Sequence, residues 1–251
     1  MDENMKKDYT KCYIAFLDIL GFKNMIGKCT CEELLDVFKD MNNPLKSIQV
    51  GDDAGNMYDI PAVNQIKIKV MSDSICFFID SSLQDALFCL LSCCAIFQAK
   101  LLRRTVPIMV RGAIVLGEIY SDGDIIFGSG MTEAYLLEEG NAKYPRIIIT
   151  KSTLMKGLEN ISRHSIKNHL EQYVYCDTDK YYAANWLNFI FDIGVNKEKE
   201  TFETCYHKLS DYIDSVLSLE TSLSIREKYL YLDNKLNEYY RKAGGNNEHQ
   251  R

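Results

Sequence analysis

The sequence has little of what nucleic-acid-binding and membrane proteins need. Its lysines and arginines never run longer than a pair, and its 251 residues carry a formal net charge of −6. Binding to DNA or RNA needs clustered positive charge, so nucleic acid is not expected as a partner. The longest apolar stretch, at 86–99, is broken by Ser92 and Gln98 and is too short to span a bilayer. The start, MDENMKKDYTK, lacks the apolar core of a signal peptide. We therefore expect a cytoplasmic protein without a membrane partner.

CxxC pairs are also absent, although the chain has nine cysteines. Cys89, Cys93 and Cys94 lie in an apolar helical run, which is typical of reduced, buried thiols and not of a disulfide framework. The composition, 47% hydrophobic and 25% charged, is that of an ordinary globular protein. Disordered and fibrous classes are thereby excluded.

Strands and helices alternate through the first 150 residues. Hydrophobic periodicity and turn residues define the elements. Strands are predicted at 13–20, 65–70, 75–79, 106–120 and 146–150, and helices at 30–48, 83–102 and 131–139. Thr30 is the expected N-cap of the first helix. Turns are expected at Gly21 and Phe22, at the tip Ser72-Asp73-Ser74 of a hairpin, and at Asp122-Gly123.

Beyond residue 150 the pattern is mostly helical. Helices are predicted at 152–159, 197–217 and 224–242, and a short strand at 172–175. We therefore expect a core at 1–150 and a C-terminal extension at 151–251 packed on it, with a frayed tail at 243–251. A separate helical subdomain is the alternative.

Two acids stand in unusual places. Asp18 interrupts an otherwise apolar strand, and Asp73 lies at the tip of a hairpin. If strand and hairpin are neighbours in one sheet, the two carboxylates meet. With a main-chain carbonyl they would suit Mg²⁺ or Mn²⁺, which take oxygen ligands and leave positions for water and substrate phosphates. The alternative is that Asp18 caps a turn and Asp73 is an ordinary hairpin residue.

Three segments resemble the class III adenylate and guanylate cyclases: YIAFLDILGF at 13–22, IKVMSDS at 68–74 and VRGAIVLGEI at 110–119. The resemblance implies an α+β fold with a ferredoxin-like or palm βαββαβ core and a mostly helical C-terminal extension. It implies that Asp18, Asp73 and the Ile19 carbonyl bind two ions, Mg²⁺ or Mn²⁺. It further implies that Arg111 contacts the substrate triphosphate.

The same resemblance assigns two further substrate-binding positions. Gly21 and Phe22 correspond to the turn whose backbone amides cradle phosphates. Lys69 corresponds to the residue that reads the base. An ammonium only donates hydrogen bonds, so Lys69 suits adenine N1 as well as a pyrimidine carbonyl and does not separate ATP from UTP or CTP. The alternative, which has equal weight, is that Lys69 is only a solvent-facing residue of a strand in which polar and apolar residues alternate.

The chain departs from the family pattern on the helix after the last hairpin. Where the familiar enzymes carry an Asn and, four residues later, an Arg, this chain has Thr132 and Leu136. Either the domain is inactive, or positive charge comes from elsewhere. Arg146 is the available candidate to supply it.

The segment FGSGMTEAYLLEEGNAKYPRIII at 127–149 resembles the bacterial pyrimidine cyclases of Pycsar antiphage defence. Segments 177–187 and 227–237 resemble the C-terminal part of the same group. The resemblance implies a homodimer that converts UTP or CTP to a 3′,5′-cyclic nucleotide and pyrophosphate. The product would act on a separate effector protein. An adenylate cyclase and an inactive, nucleotide-binding cyclase-like module are the alternatives.

Overall fold

The structure, a computed structural model, describes residues 8–41, 49–51, 57–59, 61–161, 173–192 and 202–243. Its strands are β1 (Thr10–Ile19), β2 (Gln49–Gly51), β3 (Met57–Asp59), β4 (Lys67–Met71), β5 (Ser74–Asp80), β6 (Val110–Asp122), β7 (Ile125–Phe127), β8 (Ile147–Ile149), β9 (Val174–Cys176) and β10 (Tyr182–Ala184). Its helices are α1 (Phe22–Lys28), α2 (Cys31–Met41), α3 (Ala86–Leu102), α4 (Ser129–Asn141), α5 (Lys151–Leu158), α6 (Leu187–Asp192), α7 (Phe202–Leu219) and α8 (Leu223–Lys242), with a 3₁₀ turn at Pro61–Gln65.

The main sheet has the strand order β4-β5-β1-β6-β8-β10-β9, with β7 paired to β6. β1 runs antiparallel to both of its neighbours, β5 and β6. The helices α1 and α2 lie in the chain between β1 and β4, and α3 lies between β5 and β6. The strands β4, β5, β1 and β6 therefore have the order of a ferredoxin-like βαββαβ core. The predicted α+β class is confirmed.

The two faces of β1 are covered by different helices. Ala15 and Leu17 belong to the apolar cluster that contains α3. The alternate residues Ile14 and Phe16 belong to another cluster, with Ala134 of α4. Successive strand residues point to opposite faces, so a fully apolar strand is required where helices cover both sides. The apolar composition of residues 13–17 thus follows from the position of β1 in the middle layer.

After residue 150 the chain continues the same sheet and adds helices. β10 pairs with β8, and β9 pairs with β10. Trp186 is fully buried in a cluster that joins Leu102 of α3 to Leu232 and Leu236 of α8. The C-terminal part is mostly helical, as predicted. The domain boundary at residue 150 stays a prediction.

The ends of several elements differ from the sequence prediction. Gly21 adopts a left-handed conformation (φ +79°) and starts helix α1, where only a turn was predicted. Thr30 and Glu33 exchange backbone and side-chain hydrogen bonds in a capping box before α2, which confirms Thr30 as N-cap. The strand predicted from residue 106 begins at Val110, because Pro107 lacks a backbone N–H for a ladder.

Parts of four predictions lie outside the described residues. These parts are the end of the first helix at 42–48, the start of the strand at 172, the start of the helix at 197–201 and the tail at 244–251. Within the described part of the chain, no helix combines the length and apolarity that a membrane span requires.

All nine cysteines are free thiols. Burial raises the pKa of Cys76, Cys89 and Cys93 to about 12, which keeps these thiols protonated and unreactive.

Two glycines allow α4 to lie directly on β6. A Cβ atom on Gly117 of β6 would come within 2.5 Å of the Gly130 Cα atom. A Cβ atom on Gly130 would lie 3.0 Å from the Gly117 backbone and 2.4 Å from Ile14 Cδ1. This approach brings the inward face of α4 onto the strand that carries Arg111.

Gly130→Ala should therefore destabilise the protein by about 1–3 kcal/mol, because the added methyl group overpacks the contact between helix and strand. Gly140→Ala is the matched control in the same helix, since its Cβ atom would meet nothing within 4 Å. That control should be neutral or stabilising by up to about 1 kcal/mol. Urea unfolding of both variants measures the difference, and equal effects would contradict the proposed close packing.

Candidate active site

Asp18 lies near the end of β1, between two strands that carry polar residues beside it. Its register partners are Ser74 on β5 and Arg111 on β6. Alternation places Asp18 on the same face as Ile14 and Phe16, which is the face covered by α4. Its side chain keeps 21% of its surface exposed, so solvent and ligands reach it.

Asp73 lies at the hairpin tip between β4 and β5, next to the end of β1. The backbone N–H of Ile19 donates a hydrogen bond of 3.0 Å to the Asp73 carbonyl oxygen. This hydrogen bond places the hairpin tip beside Ile19, the residue that follows Asp18, and the shared binding of a metal ion by the two carboxylates stays a prediction. Ser72 supplies the left-handed residue of the turn, with φ 59°.

The carboxyl of Asp18 has a raised pKa, mainly because burial disfavours its charged form. A hydrogen bond and the charge of Arg111 lower this pKa, the negative charge of Asp73 raises it, and the positive charge of Lys228 lowers it. Two neighbouring carboxylates in a partly desolvated position repel each other, and a cation relieves the repulsion.

The donors present suit a hard divalent cation. Asp18 and Asp73 offer carboxylate oxygens, and Ile19, the residue after Asp18, offers its main-chain carbonyl oxygen. Among the described residues, no group of three or more His, Cys, Asp or Glu side chains is arranged for a metal. That is compatible with Mg²⁺ or Mn²⁺, which often take one or two carboxylates and complete their coordination with water and substrate phosphates.

Arg111 is shared between two carboxylates. Its Nε atom lies 3.1 Å from Asp18 Oδ2 and 2.7 Å from Glu138 Oε1. Glu138 is only 2% exposed, and burial raises its pKa to about 7 against the opposing effect of Arg111. The guanidinium thus lies beside Asp18, with a second carboxylate holding it from α4.

Glu138 was not identified from the sequence. It follows Gly130 and Ala134 at intervals of four, and these three are the buried residues of α4. The spacing places a carboxylate on the helix face that packs against the sheet, which was the available signal. The apolar pattern of this helix is too weak to define its buried face from the sequence alone.

Lys69 lies on the same face of the sheet as Asp18. It pairs with Cys76 of β5, which pairs with Phe16, two residues before Asp18. Its ammonium donates a hydrogen bond to the carbonyl oxygen of Gly123, in the turn between β6 and β7. A base-reading role for Lys69 stays a prediction.

The two residues of the predicted phosphate-binding turn, Gly21 and Phe22, differ in exposure. Gly21 is exposed, and its carbonyl oxygen accepts the N–H groups of Asn24 and Met25 in the first turn of α1. The Phe22 side chain is buried and packs edge-to-face on Phe38, with ring centroids 5.9 Å apart. Phe22 thereby anchors the turn, whose binding of phosphate stays a prediction.

Arg146 lies in a different charged group. Its guanidinium is 1% exposed and forms ion pairs with Asp177 and Asp179 of the loop between β9 and β10. Tyr231 and Lys235 of α8 also contact Asp177, at 2.6 and 3.0 Å, and this group lowers the Asp177 pKa to about 2 despite burial. The structure thus places Arg146 in a link between β8 and the C-terminal part, not beside Asp18.

The positions of the missing Asn and Arg lie on an open surface. Thr132 and Leu136 line a shallow hollow along α4 with Ser129 and Asn141. Leu136 is 57% exposed, and neither residue carries charge. This face of α4 therefore supplies no charge for phosphate binding at these two positions.

No protein-family model matches this chain, and no curated protein resembles it significantly. Solved structures do. One is the monomeric guanylyl cyclase domain of the RhoGC fusion protein from the aquatic fungus Blastocladiella emersonii, with a TM-score of 0.48 and 13% identity over 70% of this chain and 95% of that one.

Two further structures are similar. A rhodopsin-guanylyl cyclase core with converted specificity, in complex with ATPαS, has a TM-score of 0.45 and 14% identity over 59% of this chain and 80% of that one. An adenylate/guanylate cyclase/hydrolase from Silicibacter pomeroyi has a TM-score of 0.43 and 15% identity over 70% of this chain and 95% of that one. At such identities the activity has to be argued from the residues of this chain.

The Arg146 group should contribute strongly to stability. Arg146→Met removes one of the two cations that pair with the buried Asp177, so we expect a loss of about 3–5 kcal/mol. Lys143→Met breaks the exposed ion pair between Lys143 and Glu227, which also joins the core to α8, and should cost much less, since exposed ion pairs contribute little to stability. Chemical unfolding compares the two variants. A small loss for Arg146→Met would show that its charge is dispensable for folding.

The raised pKa of Glu138 predicts a pH-dependent stability. Since the folded chain holds this proton up to about pH 7, the stabilisation is complete below the unfolded pKa near 4.5 and is lost as the pH rises through 7. Glu138→Gln removes this dependence, so its stability relative to the natural chain should rise from about pH 5 to about pH 8.

Urea unfolding across that range measures this difference. Glu139→Gln, at the exposed neighbouring position, is the control and should parallel the natural chain. Parallel curves for Glu138→Gln as well would contradict the shifted pKa.

Proposed function

We propose that the protein is a nucleotidyl cyclase. The observation that carries the proposal is the convergence of Asp18, Asp73 and Arg111 at the ends of β1, the β4–β5 hairpin and β6, on one partly exposed face. Paired carboxylates beside a guanidinium suit a metal-bound triphosphate. The proposed reaction needs no nucleophilic side chain, since the attacking hydroxyl group belongs to the substrate.

In the proposed reaction the ribose 3′-oxygen attacks the α-phosphorus of a nucleoside triphosphate. The bond from O3′ to the α-phosphorus forms, the bond from this phosphorus to the bridging oxygen breaks, and pyrophosphate leaves with the electron pair. The hydroxyl proton passes to solvent. Two bound divalent ions would lower the pKa of the 3′-hydroxyl and neutralise the leaving group.

In this reaction the residues of the chain bind and orient the metal ions and the substrate. Asp18, Asp73 and the Ile19 carbonyl would hold the metal ions. Arg111 would contact the triphosphate, while Glu138 would keep the guanidinium near β6. The chemistry then depends mainly on position and charge, which is typical of phosphoryl transfer.

The substrate we propose is a pyrimidine nucleotide, UTP or CTP. This choice is supported by the resemblance of residues 127–149 to the Pycsar cyclases. Lys69, on the same face as Asp18, would contact the base once its hydrogen bond to Gly123 is released. Because Lys69 also suits adenine, ATP is the second candidate.

We propose a homodimer whose product activates a separate effector protein in antiphage defence. The resemblance to the Pycsar group supports this role. Exposed apolar side chains beside the hollow on α4, Tyr135 and Leu136, support a second copy as the covering surface. Two subunits that meet through α4 would be related by a two-fold axis.

The assay uses purified protein with Mn²⁺ and each of the four nucleoside triphosphates, and mass spectrometry of the products. Cyclic UMP or cyclic CMP is the expected product. Asp18→Asn and Asp73→Asn should each lower turnover by at least about 100-fold, because the metal ligands are lost. Asp36→Asn, on the exposed surface of α2, should leave turnover unchanged.

The other outcomes separate the alternatives. Cyclic AMP as sole product would replace the pyrimidine assignment by an adenylate cyclase. No product from any nucleotide would leave an inactive, nucleotide-binding module. Full turnover by Asp73→Asn would overturn the proposed metal ligands.

A further inference from the structure

The last helix, α8, brings a lysine toward the candidate site. Lys228, Leu232, Leu236 and Tyr240 follow one another at intervals of four and share one face of α8. Leu232 and Leu236 are fully buried and Tyr240 is 4% exposed. Lys228 therefore lies on the face of α8 that packs against the rest of the protein, and it is itself partly buried.

The residues on both sides of Lys228 are fixed next to β6. Glu227 forms an ion pair of 2.8 Å with Lys143, and Tyr231 stacks on Tyr144 with centroids 4.7 Å apart. Lys143 and Tyr144 precede Arg146 by three and two residues. The carbonyl oxygen of Arg146 accepts the N–H of Gly112, the neighbour of Arg111. The first half of α8 thus lies along the chain segment that borders the strand of Arg111.

The end of β1 lies on the other side. Leu20, two residues after Asp18, packs against the cluster that contains Leu232 and Leu236. Lys228 lies one helical turn before Leu232, on the same face of α8. Its positive charge lowers the pKa of Asp18, which agrees with this placement.

The ammonium of Lys228 has a weak partner within the helix, the Ser224 hydroxyl at 3.4 Å. The candidate site has three carboxylates, Asp18, Asp73 and Glu138. Arg111 lies between two of them, so its charge is partly balanced before any substrate binds. A further cation beside these groups would add to the positive charge of Arg111 and of the proposed metal ions in binding a triphosphate.

We propose that Lys228 is a phosphate-binding residue of this site, which contributes positive charge to the substrate polyphosphate from within the same chain. It would take the place of the charge that Thr132 and Leu136 do not provide. The inference rests on the proposed function for the identity of the substrate, but it makes a separate claim: this site binds polyphosphate through Lys228.

The proposed contact lies on the pyrophosphate side of the bond that breaks. Lys228 donates hydrogen bonds to non-bridging oxygens that gain charge as the bond to the α-phosphorus breaks, so its removal should affect both substrate binding and turnover.

The test measures binding of magnesium pyrophosphate by isothermal titration calorimetry, independently of turnover. Lys228→Gln keeps a polar side chain, one atom shorter, and removes its charge, so binding should weaken by at least about tenfold, as for loss of a charge-assisted hydrogen bond. Lys228→Arg should keep binding within about threefold, since the charge is retained. Lys242→Gln, an exposed cation at the end of the same helix, is the matched control and should bind like the natural chain.

Thermal melting of each variant checks that the fold is intact, and Lys228→Met replaces Lys228→Gln if the latter unfolds. Equal pyrophosphate binding by the natural chain and the uncharged variant would overturn the inference, as would absence of binding by the natural chain. Weakened binding together with no cyclic product from any nucleotide would support the polyphosphate site and reject the cyclase. The measurements of pyrophosphate binding and of cyclic product therefore distinguish a failure of the Lys228 inference from a failure of the proposed cyclase function.

Discussion

The antiparallel pairing of β1 with β5 on one side and β6 on the other sets the position of the charged groups in the candidate site. It places Asp18 opposite Ser74 and Arg111, and it brings the hairpin tip with Asp73 to the end of β1. A slip of one residue would turn Asp18 toward α3, into an apolar cluster. The burial of both faces of β1 therefore fixes the register, and the register fixes the site.

Arg111 in β6 and Arg146, which immediately precedes the neighbouring strand β8, have opposite roles because their surroundings differ. Arg111 is 26% exposed and lies beside carboxylates that solvent and ligands can reach. Arg146 is buried and is neutralised by Asp177 and Asp179, with Tyr231 and Lys235 completing the group. A buried charge stays ionised only when it is paired, which makes Arg146 part of the framework. In our proposal Arg111 would contact the triphosphate.

The sequence was sufficient to predict the elements of the core and the position of the Asp73 hairpin beside the strand of Asp18, because period-two patterns and turn residues define strands and hairpins locally. It was insufficient for Glu138 and Lys228, which come from helices whose orientation depends on packing. Glu138 faces the sheet because Gly117 and Gly130 let α4 approach it. Arg146 was predicted to supply charge to the site, and its partners in the β9–β10 loop and α8 were not identifiable from spacing.

The shared group of Arg146, Asp177, Tyr231 and Lys235 has a consequence for the order in which the protein is made. The charges at the entrance of β8 are balanced in part by α8, which lies far downstream in the chain. A growing chain on the ribosome holds Arg146 and Asp177 before Tyr231 and Lys235 exist. The charges beside β8 therefore reach their final balance only after α8 has been synthesised and has packed against them.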